Sequence, residues 1–263
     1  MASRWPEIAE LRPVCQPPEI TSRASSEHWV ATVIGRRLSI YLTRVCVGLG
    51  LSANAVTGVM ILLGWAAATA LLLPGLWGPA LACVLAIVQI IVDSVDGEVA
   101  RWRGTAGPIG DFLDRVAHST TEAAIPIALG IGVTLHGGST DWRPAALGAW
   151  VGALVLINKS LNDFVRIASG ANALDRDRRR SDVSAPRPPV LRAAHRVARY
   201  LPIHRMYHSV EQSLVIFAVS VAGAIFGFDG PTLALLVLAV PLPLVIVGHA
   251  LAILTSRRLA KAS

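Results

Sequence analysis

Apolar residues along this chain gather in six long stretches, and polar or charged residues collect where those stretches end. With soft boundaries the stretches are about 54–74, 77–101, 109–135, 144–168, 209–228 and 231–254. A helix that crosses a bilayer needs roughly 20 mainly apolar residues, and each stretch is long enough. Short turns rich in Gly and Pro (Leu73-Pro74-Gly75, His136-Gly137-Gly138, Gly227 to Pro231) join them into three helical hairpins. The pattern predicts an all-α, polytopic membrane protein with six transmembrane helices.

The flanks read differently. Residues 1–26, with Pro13, Pro17 and Pro18, read as a flexible arm, and residues 27–50 as a cytoplasmic amphipathic helix. Trp29, Val30, Val33, Ile34 and Leu38 share one side of that helix, with Arg36, Arg37 and Arg44 elsewhere, as for a helix lying in the membrane interface. A plain cytoplasmic cap is the alternative. Residues 51–256 then form the membrane domain, which includes a basic loop at 169–207, and 257–263 form a basic tail.

Composition strengthens the membrane assignment. The chain is 53% hydrophobic and only 16% charged, against about 25% charged in a typical soluble domain. Basic residues set the expected orientation, because cytoplasmic loops carry the Lys/Arg excess. Arg36, Arg37 and Arg44 precede the first span, and Arg101, Arg103 and Arg115 lie between the second and third. The 169–207 loop holds nine arginines and the tail adds Arg257, Arg258 and Lys261, whereas the opposite loops offer Arg143 alone. Both termini are therefore expected on the cytoplasmic side of the inner membrane. The net charge of +7 does not point to nucleic acid, because the arginines sit at span ends, where anionic headgroups attract them by about 1 kcal/mol each. The first fifty residues hold no unbroken apolar core of the kind a secretory leader needs. Cys15, Cys46 and Cys83 have no metal-site spacing and read as small apolar fillers.

One run breaks the apolar pattern, DSVDGEVARWRGTAGPIGDFLDRVAH from Asp93 to His118. Insertion scales place a mid-membrane Asp or Arg at roughly 2.5–3.5 kcal/mol each, so several acids together call for cations. Asp93, Asp96 and Ala100 recur at i, i+3 and i+7 and share one face of the second span. Gly97 lies beside that face, where the missing side chain admits a ligand. Gly110, Asp114 and His118 recur at i, i+4 and i+8 on the third span, and Gly104 to Pro108 turns one helix toward the other. Three carboxylates from two helices then converge, and oxygen ligation of this kind suits Mg²⁺ or Mn²⁺ rather than zinc. Snorkelling charges paired with local arginines are the bland alternative.

The string Asp93-x-x-Asp96-Gly97-x-x-Ala100-Arg101, eight residues, Gly110-x-x-x-Asp114 resembles the signature of the CDP-alcohol phosphotransferases (CDP-alcohol phosphatidyltransferases). The stretch from Leu51 to Thr57, LSANAVT, looks like that family's opening of the first span, with Ala53 where proline is usual. The resemblance implies that Asp93, Asp96 and Asp114 hold two divalent cations. It implies that Gly97, Ala100 and Arg101 line the nucleotide cleft, that Gly110 permits close helix approach, and that Asn54 and Thr57 help close the nucleotide end. It also implies a homodimer, and transfer of a substituted phosphate from a CDP-linked donor to an alcohol with release of CMP. CDP-diacylglycerol, in phospholipid biosynthesis, is the first choice of donor. A soluble donor such as CDP-inositol is the alternative, and a non-catalytic nucleotide-binding scaffold is an alternative of another class.

The family's fourth acid, four residues after Asp114, is His118 here. Three readings follow: a general base near the metals, suited by an ordinary pKa near 6.5; a site that binds nucleotide without catalysis; or a satisfied polar residue with another group as base. Glu122, four residues on, is placed to fix the imidazole tautomer. Asp111 is placed to supply the missing oxygen ligand, and a shifted alignment would make Asp111 and Asp114 the closing pair. A second polar cluster, Lys159, Asn162 and Arg166 at the end of the fourth span with Glu211 opening the fifth, reads as an acceptor pocket in which the cations suit an anion. A local Lys159–Asp163 pair is the alternative.

Overall fold

A computed structural model describes residues 5–18, 35–137, 141–168 and 203–254. Among them the regular structure is helical: α1 (Ile8–Cys15), α2 (Arg36–Gly48), α3 (Ala53–Ala70), α4 (Trp77–Arg103), α5 (Pro108–His136), α6 (Arg143–Ala168), α7 (Ser209–Phe226), α8 (Gly230–Ala239) and α9 (Leu242–Leu254), with a 3-10 turn at Ile203–Tyr207. Six segments are long and apolar enough to cross a membrane, namely α3 to α7 and the α8–α9 stretch Gly230–Leu254. The protein is an integral membrane protein. The chain divides into two compact units, Met1–Thr121 and Glu122–Ser263.

In the first unit, α3 starts where Ser52 caps it, its Oγ accepting the Ala55 N–H at 3.2 Å. The helix packs along α4 around buried Val56, Val95 and Val99. Gly64 makes a close approach possible: a Cβ there would lie 2.6 Å from Gln89 Nε2 on α4 and would also collide with the Thr121 side chain on α5. Helix–helix contact in a membrane favours small residues of this kind. Gln89 Nε2 donates to Thr121 Oγ1 at 3.2 Å, and Trp65 Nε1 donates to Thr120 Oγ1 at 3.0 Å. Helix α4 ends at Gly104, whose φ of +64° is left-handed and suits glycine. Pro108, with its fixed φ and no N–H to lose, opens α5 four residues later.

The N-terminal arm contains order that its prolines conceal. Ile8–Cys15 is helical, and Leu11 and Cys15, four residues apart, bury against Ile40 of α2, with Trp102 of α4 packed beside them. Helix α2 is amphipathic, and its outer stripe is apolar: Leu38, Tyr41, Leu42, Val45 and Leu49 are exposed, while Ser39, Ile40, Thr43 and Gly48 are buried. The expected helix side built from Trp29, Val30, Val33 and Ile34 lies outside the described residues; Leu38 is on the exposed stripe.

In the second unit, α5 and α6 approach through glycines. A Cβ on Gly130 would lie 3.0 Å from the Cα of Gly148, and one on Gly148 would lie 3.1 Å from the Cα of Gly130. The Tyr207 hydroxyl donates to the Leu238 carbonyl at 3.0 Å, joining the 3-10 turn to α8. Burial pushes the Tyr207 phenol above its ordinary pKa. Asp229 caps α8, accepting the Thr232 N–H at 3.1 Å. The last apolar stretch, expected as one span, breaks into α8 and α9 at Val240–Pro241, because Pro241 has no N–H to continue the ladder. The loop at 169–202 and the tail at 255–263 lie outside the described residues.

Candidate active site

The signature spans the end of α4 and the start of α5, both in the first unit. One helical face of α4 presents Asp93 and Asp96, and the start of α5 presents Asp114 and His118. Nε2 of His118 lies 3.3 Å from Asp93 Oδ1 and 3.4 Å from Asp114 Oδ1. One donor atom from each of the three lies within 4.8 Å of the others. Ligand bonds to hard divalent cations are about 2.0–2.6 Å long, so a single ion can span such a trio. Two carboxylates and an imidazole form an acceptable donor set for a divalent ion, and the carboxylates favour a hard one. The side chains are a fifth to a half exposed, 20% for His118, 25% for Asp93 and 47% for Asp114. Each is therefore partly accessible to water.

Asp96 stands beside this trio and is oriented by a separate bond. Thr57, buried on α3, donates its hydroxyl to Asp96 Oδ2 at 2.7 Å. Thr57, expected to help close the nucleotide end, thus hydrogen-bonds a signature carboxylate. Asn54, one turn earlier on α3, is exposed, and its Oδ1 would lie 3.9 Å from a Cβ placed on Gly110. Gly110 therefore does bring the start of α5 near Asn54. Asp111 is half-buried in the first turn of α5 and stands outside the converging trio.

Arg101 folds back over Gly97, so that a Cβ on that glycine would lie 3.2 Å from Arg101 Nη1. Its Nε donates to the Cys15 carbonyl at 2.8 Å. The guanidinium is thus anchored through one nitrogen by the N-terminal arm. Ala100 is half-buried in the turn before it.

The second polar cluster belongs to the second unit and has a different centre from the expected one. Glu122, fully buried, receives Lys159 Nζ at 2.7 Å on Oε2 and 2.9 Å on Oε1, and His208 Nδ1 lies 3.2 Å from Oε1. Gln212 Nε2 donates to the Glu122 backbone carbonyl at 3.1 Å and to the Tyr207 carbonyl at 2.7 Å. Lys159 thus reaches an acid on another helix. Asn162 is exposed, Glu211 sits half-buried in the first turn of α7, and the Arg166 side chain lies outside the described residues. Sequence spacing missed this pair, although a lone acid and a lone lysine in apolar spans are a signal for a partner.

Sequence reasoning also passed over Glu98, which is buried on the opposite side of α4 from the acids and holds three side-chain hydrogen bonds. An ionisable residue inside a span is the sign that marks it.

No curated protein matches the chain. The sequence profile of the CDP-alcohol phosphatidyltransferases matches residues 50–188, a stretch that contains the carboxylate–imidazole trio, Asp96 with its threonine, and the anchored arginine. That family consists of transferases that move a phosphoryl-alcohol group from a CDP-alcohol to an alcohol acceptor and use divalent metal ions. With the match covering most of the first unit and reaching beyond α6, the chain belongs to the CDP-alcohol phosphatidyltransferase family.

Proposed function

We propose that this enzyme transfers a phosphatidyl group from CDP-diacylglycerol to the hydroxyl of an alcohol at the cytoplasmic face of the inner membrane, releasing CMP. The observation that carries the reading is the convergence of Asp93, Asp114 and His118 within 4.8 Å, on helices whose other residues match the family profile.

Asp93, Asp96 and Asp114 would hold two divalent cations, Mg²⁺ or Mn²⁺, with Asp111 as a reserve oxygen ligand. When bound, such cations neutralise the diphosphate and the charge that develops on leaving CMP. Thr57 keeps Asp96 aimed by its 2.7 Å hydrogen bond. Gly97 leaves room for the nucleotide beside α4, and Arg101, anchored at Nε, offers its remaining N–H groups to phosphate oxygens. Ala100, Gly110 and Asn54 line the same side. His118 acts as general base: its imidazole takes the acceptor's hydroxyl proton as the new O–P bond forms and the bond from that phosphorus to the CMP oxygen breaks. Asp93 and Asp114, each within 3.4 Å of Nε2, hold the imidazole in place. Water then removes the proton, since the residue is partly exposed.

The arginine asymmetry of the sequence supports the cytoplasmic orientation. In the second unit, the Lys159, Asn162, Arg166 and Glu211 region remains our candidate for acceptor recognition.

The test is purified protein with Mg²⁺ or Mn²⁺, a panel of CDP donors and alcohols, and product identification by mass spectrometry. CMP and a phosphatidyl-alcohol from CDP-diacylglycerol are expected. Turnover of CDP-inositol alone would replace the lipid donor with a soluble one, and no turnover of any donor would leave a nucleotide-binding scaffold. Asp93→Ala or Asp114→Ala should abolish CMP release; retained turnover overturns the metal assignment.

A further inference from the structure

Glu98 lies inside the signature, two residues after Asp96 and three before Arg101, yet it does not share the acids' face. Two residues along an α-helix turn it about 200° from Asp96. Its side chain is 2% exposed. A buried carboxylate is tolerated only when hydrogen bonds replace its water, and here three do. Ser39 Oγ and Gln16 Nε2 donate to Oε1 at 2.6 and 2.7 Å, and Thr43 Oγ1 donates to Oε2 at 2.6 Å. All three lengths fall within hydrogen-bond range.

The donors come from the end of α1 and from the inward face of α2. Gln16 also donates to the Arg36 carbonyl at 2.7 Å, locking α1 to the start of α2. The residue before it, Cys15, grips the signature twice. Its carbonyl receives Arg101 Nε at 2.8 Å, and its Sγ donates to the Glu98 carbonyl at 3.5 Å. Cys15 therefore holds both Glu98 and Arg101, its neighbour Gln16 adds a bond to Glu98, and Arg101 is the group that faces Gly97.

We propose that Glu98 is a positioning residue: by docking α1 and α2 onto the signature, it fixes Arg101 for the CDP donor and so sets donor affinity. The inference rests on the proposed nucleotide site. Linkage makes it testable from both ends, because an arm that raises donor affinity must itself be held more tightly when donor is bound, by the same factor.

The experiment uses the full-length protein in detergent, with Glu98→Ala, Glu98→Gln and Gln16→Ala beside the parent. Glu98→Ala should raise the KM for CDP-diacylglycerol about tenfold, within the usual range of such couplings, while kcat and the acceptor KM move less than about threefold. Gln16→Ala should shift the same constant in the same direction by less. Glu98→Gln should recover part of the loss, since an amide oxygen still accepts from a hydroxyl. Alkylation of Cys15, followed by peptide mass spectrometry, reads arm docking directly. CDP with Mg²⁺ should slow it in the parent and not in Glu98→Ala.

An unchanged donor KM in both Glu98→Ala and Gln16→Ala overturns the proposal, as does a uniform loss in kcat and both KM values, which would mark a purely structural staple. If Glu98→Ala does not fold, Gln16→Ala and the parent's protection of Cys15 by CDP decide. Failure of the parent to release CMP from any donor would count against the transferase reading, and the Cys15 protection would still test this one.

Discussion

The Lys159–Glu122 pair gives the sharpest energetic prediction. Glu122 has no solvent-accessible side chain, and Lys159 Nζ reaches both of its oxygens at 2.7 and 2.9 Å. Lys159→Met keeps most of the side-chain volume and removes the charge, so the principal loss is neutralisation of a buried carboxylate. Breaking a buried pair from one side costs about 3–5 kcal/mol. His208 Nδ1, 3.2 Å from Oε1, stays behind and holds the loss near the lower end, about 3 kcal/mol. For a chain of this size, about 2–4 °C in Tm accompanies each kcal/mol, so Lys159→Met should melt about 6–12 °C below the parent. Removing both charges leaves no unpaired buried carboxylate, and His208, which loses a partner, is 32% exposed. Lys159→Met combined with Glu122→Met should return to within about 1 kcal/mol of the parent, or exceed it, as buried pairs replaced by apolar residues often do. Thermal unfolding in one detergent, followed by intrinsic tryptophan fluorescence, gives all three values. A Lys159→Met protein that melts with the parent would refute the buried pair. A double variant as damaged as the single would refute the claim that the orphaned carboxylate causes the loss.

Three further outcomes follow from the geometry. His118→Ala should lower kcat by about 10²–10⁴, the usual contribution of a general base, whereas His118→Asp should keep most of the activity by restoring the family's fourth acid; equal loss in both would remove His118 from the proton-transfer role. Gly148→Val should destabilise the protein by about 1–3 kcal/mol through overpacking, because even a Cβ at that position would lie 3.1 Å from the Gly130 Cα, and a melting temperature equal to the parent's would show that the two helices can part freely. Burial and the Glu98 charge push the Cys15 thiol up to about 11 from 9.0, so thiolate accumulates only as pH rises toward that value and its fraction at pH 7.5 falls about 100-fold; maleimide labelling as fast as that of a free thiol would contradict the burial.

The six spans were legible because a bilayer demands about 20 apolar residues in a row, and no tertiary detail is needed to see that. The acids were legible for a related reason: Asp93, Asp96 and Asp114 recur at helical spacings and stand out against an apolar background. What escaped depends on partners far away in sequence. Local spacing offered Asp163 to Lys159, one turn along α6, and could not show Glu122 on α5. Prolines marked the arm as unstructured, yet α1 is eight residues long and a helix that short draws its stability from packing, here Leu11 and Cys15 on Ile40.

Helix α2 shows the deeper reason. A rule that turns polar residues outward assumes water outside, whereas Ser39 and Thr43 face inward to bond Glu98, and Leu38, Tyr41 and Leu42 face outward. Where the surroundings are lipid, a polar residue is drawn toward whichever buried group lacks water. The same argument bears on His118. In an aqueous site an imidazole could turn to solvent and leave the acids to themselves. On half-buried α5, two carboxylates from different helices lie on its Nε2, so the residue that departs from the family pattern is held at the point where the acids meet.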